Sequence, residues 1–181
     1  MYLLKRNKKI INHVIKSKEI ERSPVQILGK DYKVKIIYKN IKIAELDIEK
    51  TTIIISLPNK YKKTDNDKIL DLAIFKMYES IANVEVERAM EKSRVTLKLA
   101  PEEYEIKKTE NKLAQLCKDK LIINPEIVKY NRKIIDCIIL HEFCHLKYKT
   151  HCKKFQELLK KNMPTLNIYE KNVLINLLWI L

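Results

Sequence analysis

The sequence lacks an apolar run long enough to cross a membrane, which takes about 20 consecutive apolar residues. The longest apolar run near an end, Val173 to Leu181, is short and is interrupted by Asn176. The basic N-terminal stretch, Met1 to Lys18, has no apolar core followed by a small-residue cleavage site. These absences predict a cytoplasmic protein that does not cross a membrane and carries no secretory signal.

Glycine and cysteine are scarce as well. The chain has one glycine and four cysteines, and no repeat, low-complexity tract or Pro/Gly-rich linker divides its 181 residues. Without an export signal, the cysteines are expected to stay reduced. We therefore predict a basic, helical N-terminal extension over residues 1–22 and a single domain over residues 23–181.

Lysine, in contrast, is abundant, and the net charge is +14. Such a charge is compatible with a nucleic-acid partner. The basic residues are spread over almost every segment, however, and arginine, the better reader of bases and phosphates, is scarce. Nucleic acid is thus a possible partner but not one that the protein is expected to bind specifically. The sequence leaves the oligomeric state open.

Hydrophobic residues make up 46% of the chain, enough for a sizeable core, and their periodicity predicts an α+β fold. Four short runs rich in Ile and Val, separated by plausible turns, predict an N-terminal antiparallel β-meander. A long helix is predicted over residues 65–92, with Asn66 or Asp67 as its N-cap. Its apolar face is predicted to include Ile69, Ala73, Met77, Ile81 and Val84, and three further short strands are predicted between residues 104 and 123.

The C-terminal third is predicted to be helical. Asn131 can cap a helix that runs through His145, and a second short helix is predicted from about His151 to Asn162, where Pro164 stops it. A last helical stretch, Ile168 to Leu181, closes the chain.

The first of these helices contains the H-E-x-x-H motif, His141-Glu142-Phe143-Cys144-His145. Residues four apart lie one turn apart on the same face of a helix, so both imidazoles can bind one Zn²⁺ ion. Glu142 is not a ligand in this arrangement and can act as general base towards a water molecule. The preceding residues, 134–140, are almost all apolar and predict a buried site.

His151 is the expected third ligand. A continuous helix would turn it about 600° away from His145, so the chain must turn between Tyr148 and Thr150, and Thr150 can cap the next helix. Cys152, Glu157 and Glu170 remain alternatives as the third ligand. Three protein ligands leave a fourth position for water, which is typical of catalytic zinc.

Several other interpretations stay open. The histidines could be unrelated surface residues, or they could form a structural zinc site with Cys137, Cys144 or Cys152, although no C-x-x-C pair exists. Lys147 and Tyr148 are candidate electrophiles for an oxyanion, but solvent-facing side chains are the simpler interpretation. Cys117 is expected to be structural, and His13 is expected to be exposed.

The motif with its continuation, His141 to Leu146 followed by His151, Phe155 and Met163-Pro164, resembles the YgjP-like metallopeptidase domains, relatives of the SprT-like zinc peptidases. Upstream, residues 25–32, 53–58 and 121–124 resemble the family's strands. The resemblance implies a zincin-like α+β fold, a zinc cofactor and a peptide or protein substrate. The alternatives are a non-catalytic zinc-stabilised interaction module and a DNA-associated protease that uses the basic surface.

The sequence departs from the family pattern at three places. The family usually has R-W-G-S-C before the strand that ends in I-x-x-N, where this chain has Lys112 to Leu116. Gln156 stands where the family has an aromatic residue after H-x-x-x-F, and Cys137 stands where it often has Tyr. These changes spare the ligands, and we expect them to alter the substrate cleft.

Overall fold

The computed structural model describes residues 24–63 and 67–178. The described residues form two small sheets, four α-helices and two short 3-10 helices. The predicted N-terminal extension, residues 1–22, lies outside the described residues, as does His13. In the described part of the chain no helix is long and apolar enough to cross a membrane.

The first sheet is mixed and not the antiparallel meander that the sequence predicted. Its strands are β1 (Val25–Ile27), β2 (Lys30–Lys39), β3 (Glu45–Glu49) and β4 (Thr52–Pro58), in the order β1-β2-β4-β3. Strands β2 and β4 pair in parallel, whereas β3 pairs with the far side of β4 in antiparallel orientation.

The strand order follows from burial. Ile53, Ile55 and Leu57 of β4 are fully buried, so β4 lies in the interior of the sheet. The acidic side chains of β3 are exposed, and an edge position leaves them in water. A meander would have put charged β3 between the two apolar strands.

Helix α1 (Asp67–Leu97) confirms the predicted long helix and extends it by five residues at its C-terminal end. The predicted apolar face was partly wrong, because Val84 is 66% exposed. The buried positions run instead through Tyr78, Ala82, Val86 and Ala89. Tyr78 reaches back to the first sheet, where its hydroxyl donates to the carbonyl of Gln26 at 3.0 Å.

The second sheet has the order β5-β7-β6, formed by β5 (Glu103–Ile106), β6 (Ala114–Cys117) and β7 (Lys120–Ile123). Strand β6 is an edge strand that pairs only with β7 within this sheet. After a 3-10 helix at Pro125–Lys129, the chain continues into α2 (Arg132–Lys147), α3 (Lys153–Asn162) and α4 (Ile168–Leu178). A further 3-10 helix, Asn59–Lys63, precedes α1.

Helix α2 is the central element of the C-terminal half. The Asn131 side chain accepts a hydrogen bond from the Ile134 N–H at 3.0 Å, which confirms the predicted N-cap. Every residue from Ile134 to Cys144 is buried, and α2 contacts α1, α3, α4 and β6. The segment with the H-E-x-x-H motif is therefore enclosed on most sides.

Candidate metal centre

Three imidazoles converge at the C-terminal end of α2. The Nε2 atoms of His141 and His145 are 3.1 Å apart, and His151 Nε2 lies 3.2 Å from each of them. Tetrahedral zinc with bonds of about 2.0–2.1 Å would hold its nitrogens about 3.3 Å apart. Among the described residues, these three histidines are the group that can hold a metal ion.

The hydrogen bonding of His145 explains the orientation of its ring. His145 Nδ1 lies 3.0 Å from the Tyr148 carbonyl oxygen. A carbonyl only accepts, so Nδ1 donates and Nε2 of the neutral ring presents a lone pair to the other two histidines. Three Nε2 atoms whose lone pairs converge cannot form hydrogen bonds with one another, because each is an acceptor. A bound cation is the partner that fits such a set of nitrogen ligands.

The titration of the histidines favours the metal-binding form. Burial, followed by the charges of His145 and His151, lowers the pKa of His141 to about 3. Burial also lowers the pKa of His145. The His141 and His145 rings are therefore neutral near pH 7, as metal ligation requires. His141 Nδ1 is buried without a hydrogen-bond partner in the described part of the chain.

Phe155 supports the three rings from beneath. It is fully buried on α3, and its ring centroid lies 5.0, 4.7 and 4.8 Å from those of His141, His145 and His151. Leu140, Cys144 and Leu159 complete this small apolar cluster. Phe155 thus packs α3 against the histidines and against the end of α2.

The route of the chain to His151 differs in detail from the prediction. Helix α2 ends at Lys147 and the chain turns there, as expected, but the next helix begins at Lys153 with Cys152 as its N-cap. Thr150 is not the cap, and its carbonyl accepts the Cys152 N–H at 2.8 Å. His151 thus lies in the loop between α2 and α3, and its ring turns back towards the histidines of α2.

The alternative ligands lie elsewhere. Glu170 is buried and engaged by the Asn131 side chain and the Asn167 N–H, whereas Glu157 is exposed on α3. Cys152 is exposed, and none of the four cysteines belongs to the histidine group or forms a disulfide. Cys117, expected to be structural, is instead exposed on β6.

Glu142 faces the same cleft as the histidines. Its Oε2 accepts a hydrogen bond from the Leu116 N–H of β6 at 2.7 Å. Burial raises the pKa of Glu142 to about 7, against the opposing effects of the Leu116 N–H and the charge of Lys112. The carboxylate is therefore held by a fixed donor while its pKa lies near neutrality.

A cleft of about 770 Å³ opens over these groups. The segment Lys112 to Leu116, the principal departure from the family pattern, forms one wall, and Lys149 and Leu177 lie on the other sides. The sequence predicted neither the Leu116 contact nor the Tyr148 contact, because backbone donors and acceptors leave no residue signature. Lys147 and Tyr148, the candidate electrophiles, do not line this cleft.

A buried H-E-x-x-H helix with a third histidine beside an open cleft is the arrangement of a metallopeptidase. The family model of the YgjP-like metallopeptidase domain matches residues 2–173, so the chain belongs to the YgjP-like metallopeptidase family.

Two solved structures are similar to this chain. The metallopeptidase zymogen abylysin from Pyrococcus abyssi is 19% identical, with a TM-score of 0.44, over 52% of this chain and 95% of that one. The metallopeptidase zymogen jannalysin from Methanocaldococcus jannaschii is 23% identical, with a TM-score of 0.42, over 49% of this chain and 82% of that one. No curated protein matches the sequence.

Proposed function

We propose that this chain is a zinc-dependent peptidase in which His141, His145 and His151 hold the metal and Glu142 is the general base. The observation that carries the proposal is the convergence of three Nε2 atoms within 3.1–3.2 Å of one another beside a buried carboxylate. Imidazole nitrogens are ligands that zinc favours, and three of them leave a coordination position open. When held by these three histidines, a zinc ion would lower the pKa of a bound water and polarise a scissile carbonyl.

Glu142 provides the proton transfer. Its pKa of about 7 lets it accept a proton from the attacking water and return it to the leaving amine at neutral pH. The Leu116 N–H fixes one carboxylate oxygen, so the other oxygen is left for the water. Ile138 and His141 line the cleft beside Glu142 and are buried. They exclude bulk water there and so strengthen the electrostatic interactions of the Glu142 carboxylate.

Strand β6 provides a place for the substrate backbone. It is the edge strand of its sheet, and residues Ala114, Gln115 and Leu116 of β6 line the cleft. An extended peptide can add to such an edge through main-chain hydrogen bonds. The proposal therefore includes unfolded or extended polypeptide as the substrate.

Two variants test the proposal. Protein purified without added metal should contain about one zinc per chain, as a single three-ligand site requires. Glu142→Gln should retain that zinc and the fold while losing hydrolysis of a denatured protein by at least about 100-fold, the lower range for general-base catalysis. The His141→Ala, His145→Ala double variant should lose both zinc and hydrolysis.

The outcomes separate the possible failures. Equal zinc in the wild type and the double variant would show that the ligands are wrong. Hydrolysis that survives Glu142→Gln unchanged would remove Glu142 from the mechanism. Zinc binding by the wild type with no hydrolysis of any denatured protein would favour the non-catalytic module.

A further inference from the structure

Three lysines surround the mouth of the cleft. Lys112 precedes β6, Lys118 follows it, and Lys149 lies in the loop between α2 and α3. All three are exposed. The positive charges thus come from two separate segments that line the same cleft as the Glu142 carboxylate and the histidines.

Among the described residues, no carboxylate other than Glu142 lines the cleft beside these lysines. The Oε2 atom of Glu142 is engaged by the Leu116 N–H. Across the described ranges, none of the three lysines makes an ion pair. Lys120, two residues beyond Lys118, pairs by contrast with Glu105 at 3.2 Å.

The lysines share the cleft with the proposed reacting groups. Lys112, Lys118 and Lys149 line the same cleft as Glu142 and the histidines, so their ammonium groups act on whatever occupies it. A low-dielectric cleft lined by one sign of charge concentrates ligands of the opposite sign.

The chemistry of the lining favours acidic polypeptide over nucleic acid. Grooves that bind single-stranded nucleic acid combine positive charge with aromatic side chains for base stacking. The described residues of this cleft include no Phe, Tyr, Trp or Arg. Lysine is a flexible point charge that suits carboxylates on a mobile chain.

The positions of Lys112 and Lys118 at the two ends of β6 also indicate where the acidic side chains of a bound peptide would lie. Strand β6 has four residues and so spans about 13 Å, with Lys112 before its start and Lys118 after its end. A peptide extended along β6 would pass one lysine on each side of Glu142. Carboxylates on both sides of the scissile bond would then meet a positive charge.

We propose that Lys112, Lys118 and Lys149 make the cleft selective for polypeptide segments with Asp or Glu on both sides of the scissile bond. The proposal rests on the peptidase function proposed above, because it assigns the substrate class of the same cleft.

Binding to the Glu142→Gln variant, which cannot complete hydrolysis, tests the proposal independently of activity. The probes are two fluorescein-labelled peptides of equal length, one with Glu on both sides of a central dipeptide and one with Gln at those positions. Fluorescence anisotropy at low and near-physiological salt should show about tenfold tighter binding of the Glu peptide, since three exposed ion pairs each contribute modestly. The preference should shrink as salt is added.

Matched lysine variants locate the effect. Lys112→Gln, Lys118→Gln and Lys149→Gln, combined in the Glu142→Gln background, should abolish the preference, whereas the same three positions changed to Arg should keep it. Lys33→Gln, Lys42→Gln and Lys68→Gln remove the same charge from exposed positions outside the cleft and should leave the preference intact. A thermal melt of each variant checks the fold.

Several results would overturn the proposal. Equal affinity for the Glu and Gln peptides would do so, as would an equal loss of preference in the two triple Gln variants. A single-stranded oligonucleotide that binds more tightly than the Glu peptide, and loses that binding only in the cleft variant, would make nucleic acid the ligand. If the wild type hydrolyses nothing but the Glu142→Gln variant still prefers the acidic peptide, the peptidase function fails and the charge selectivity stands.

Discussion

His151 is the residue on which the proposed metal site depends most closely, because it alone of the three proposed ligands comes from outside α2. Its Nε2 lies 3.2 Å from those of His141 and His145, whereas neighbouring Cys152 is exposed at the N-cap of α3. We expect His151→Ala to lower zinc affinity by more than about 100-fold, beyond the usual effect of losing an outer-shell partner. Competition with a chromogenic chelator measures the affinity.

Cys152→Ala is the matched control for that experiment. It changes the adjacent residue and a potential thiolate ligand while leaving the three imidazoles in place, so zinc affinity should stay nearly unchanged. If the cysteine variant lost zinc and the histidine variant kept it, Cys152 would be the third ligand.

Leu116 acts through its backbone, and only proline removes that donor. Its N–H points to Glu142 and away from β7, so Leu116→Pro should preserve the pairing of an edge strand. Loss of a hydrogen bond to a carboxylate raises its pKa. We expect the acid limb of the pH profile of kcat/KM to move up by about one pH unit.

Leu116→Ala separates the backbone effect from the side chain. It retains the N–H and should leave the acid limb where the wild type has it, and both variants should hold equal zinc. Superimposable pH profiles for all three proteins would show that the Leu116 N–H does not tune Glu142.

At the scale of elements, a network of charges joins α1 to α2 behind the metal site. Glu85 accepts from Arg132 at 2.6 Å and from Arg88 at 3.0 Å, and Arg88 also donates to Asp136 at 2.7 Å. Lys92 pairs with the second oxygen of Asp136 at 2.7 Å. Both carboxylates are buried, so the network fixes how α2 lies against α1.

We expect Glu85→Ala to lower the free energy of unfolding by about 1–3 kcal/mol at pH 7, since it leaves the Arg132 guanidinium without its carboxylate partner and leaves Arg88 with Asp136 alone. The effect stays below that of a fully buried pair because the Arg132 and Arg88 side chains are 62% and 36% exposed. Glu91→Ala, which breaks an exposed pair with Arg94, is the control and should have much the smaller effect. Urea unfolding measures both.

The stability difference between the wild type and Glu85→Ala should depend on pH. Hydrogen bonding from Arg132 lowers the pKa of Glu85 below its ordinary value of 4.5, against the opposing effect of burial. A carboxyl with a lowered pKa in the folded state contributes stability above its unfolded pKa and loses it as the pH falls through the folded one. The difference between wild type and Glu85→Ala should therefore shrink below about pH 4, and a constant difference would contradict this account.

At the scale of the whole molecule, the main core is built without the three histidines that we propose as metal ligands. The buried hydrophobic residues of both sheets, α1 and α2 form one cluster, whereas His141 is buried outside that cluster, His145 is half-buried and His151 is exposed. We expect chelation to leave a cooperative unfolding transition and to lower Tm by roughly 10 °C, the effect of losing a ligand present at about 1,000 times its Kd. Thermal melts with and without chelator measure it.

Loss of the cooperative unfolding transition on chelation would contradict this prediction. If chelation abolished the whole transition, the metal would be required for folding, as in small zinc modules. Together with no hydrolysis of any denatured protein, that result would favour a zinc-stabilised interaction module over the peptidase.

The C-terminal helices were predicted well from the sequence because short-range interactions determine where they begin and which residues share a face. Asn131 caps α2 because its short side chain reaches the Ile134 N–H, and residues four apart must share a helix face, which places His141 beside His145. The requirement for a turn before His151 also followed from helical periodicity. These are short-range constraints that the residues impose on their own neighbourhood.

Only tertiary packing decided the rest. The parallel pairing of β2 with β4 depends on burying the most apolar strand in the interior of a sheet, which local patterns do not encode. The exposure of Val84 depends on how α1 lies against its neighbours. The Leu116 N–H meets Glu142, and Lys112, Lys118 and Lys149 surround one cleft, because β6 packs beside α2. The sequence alone thus determined which residues can bind a metal, whereas long-range contacts determined what faces the cleft.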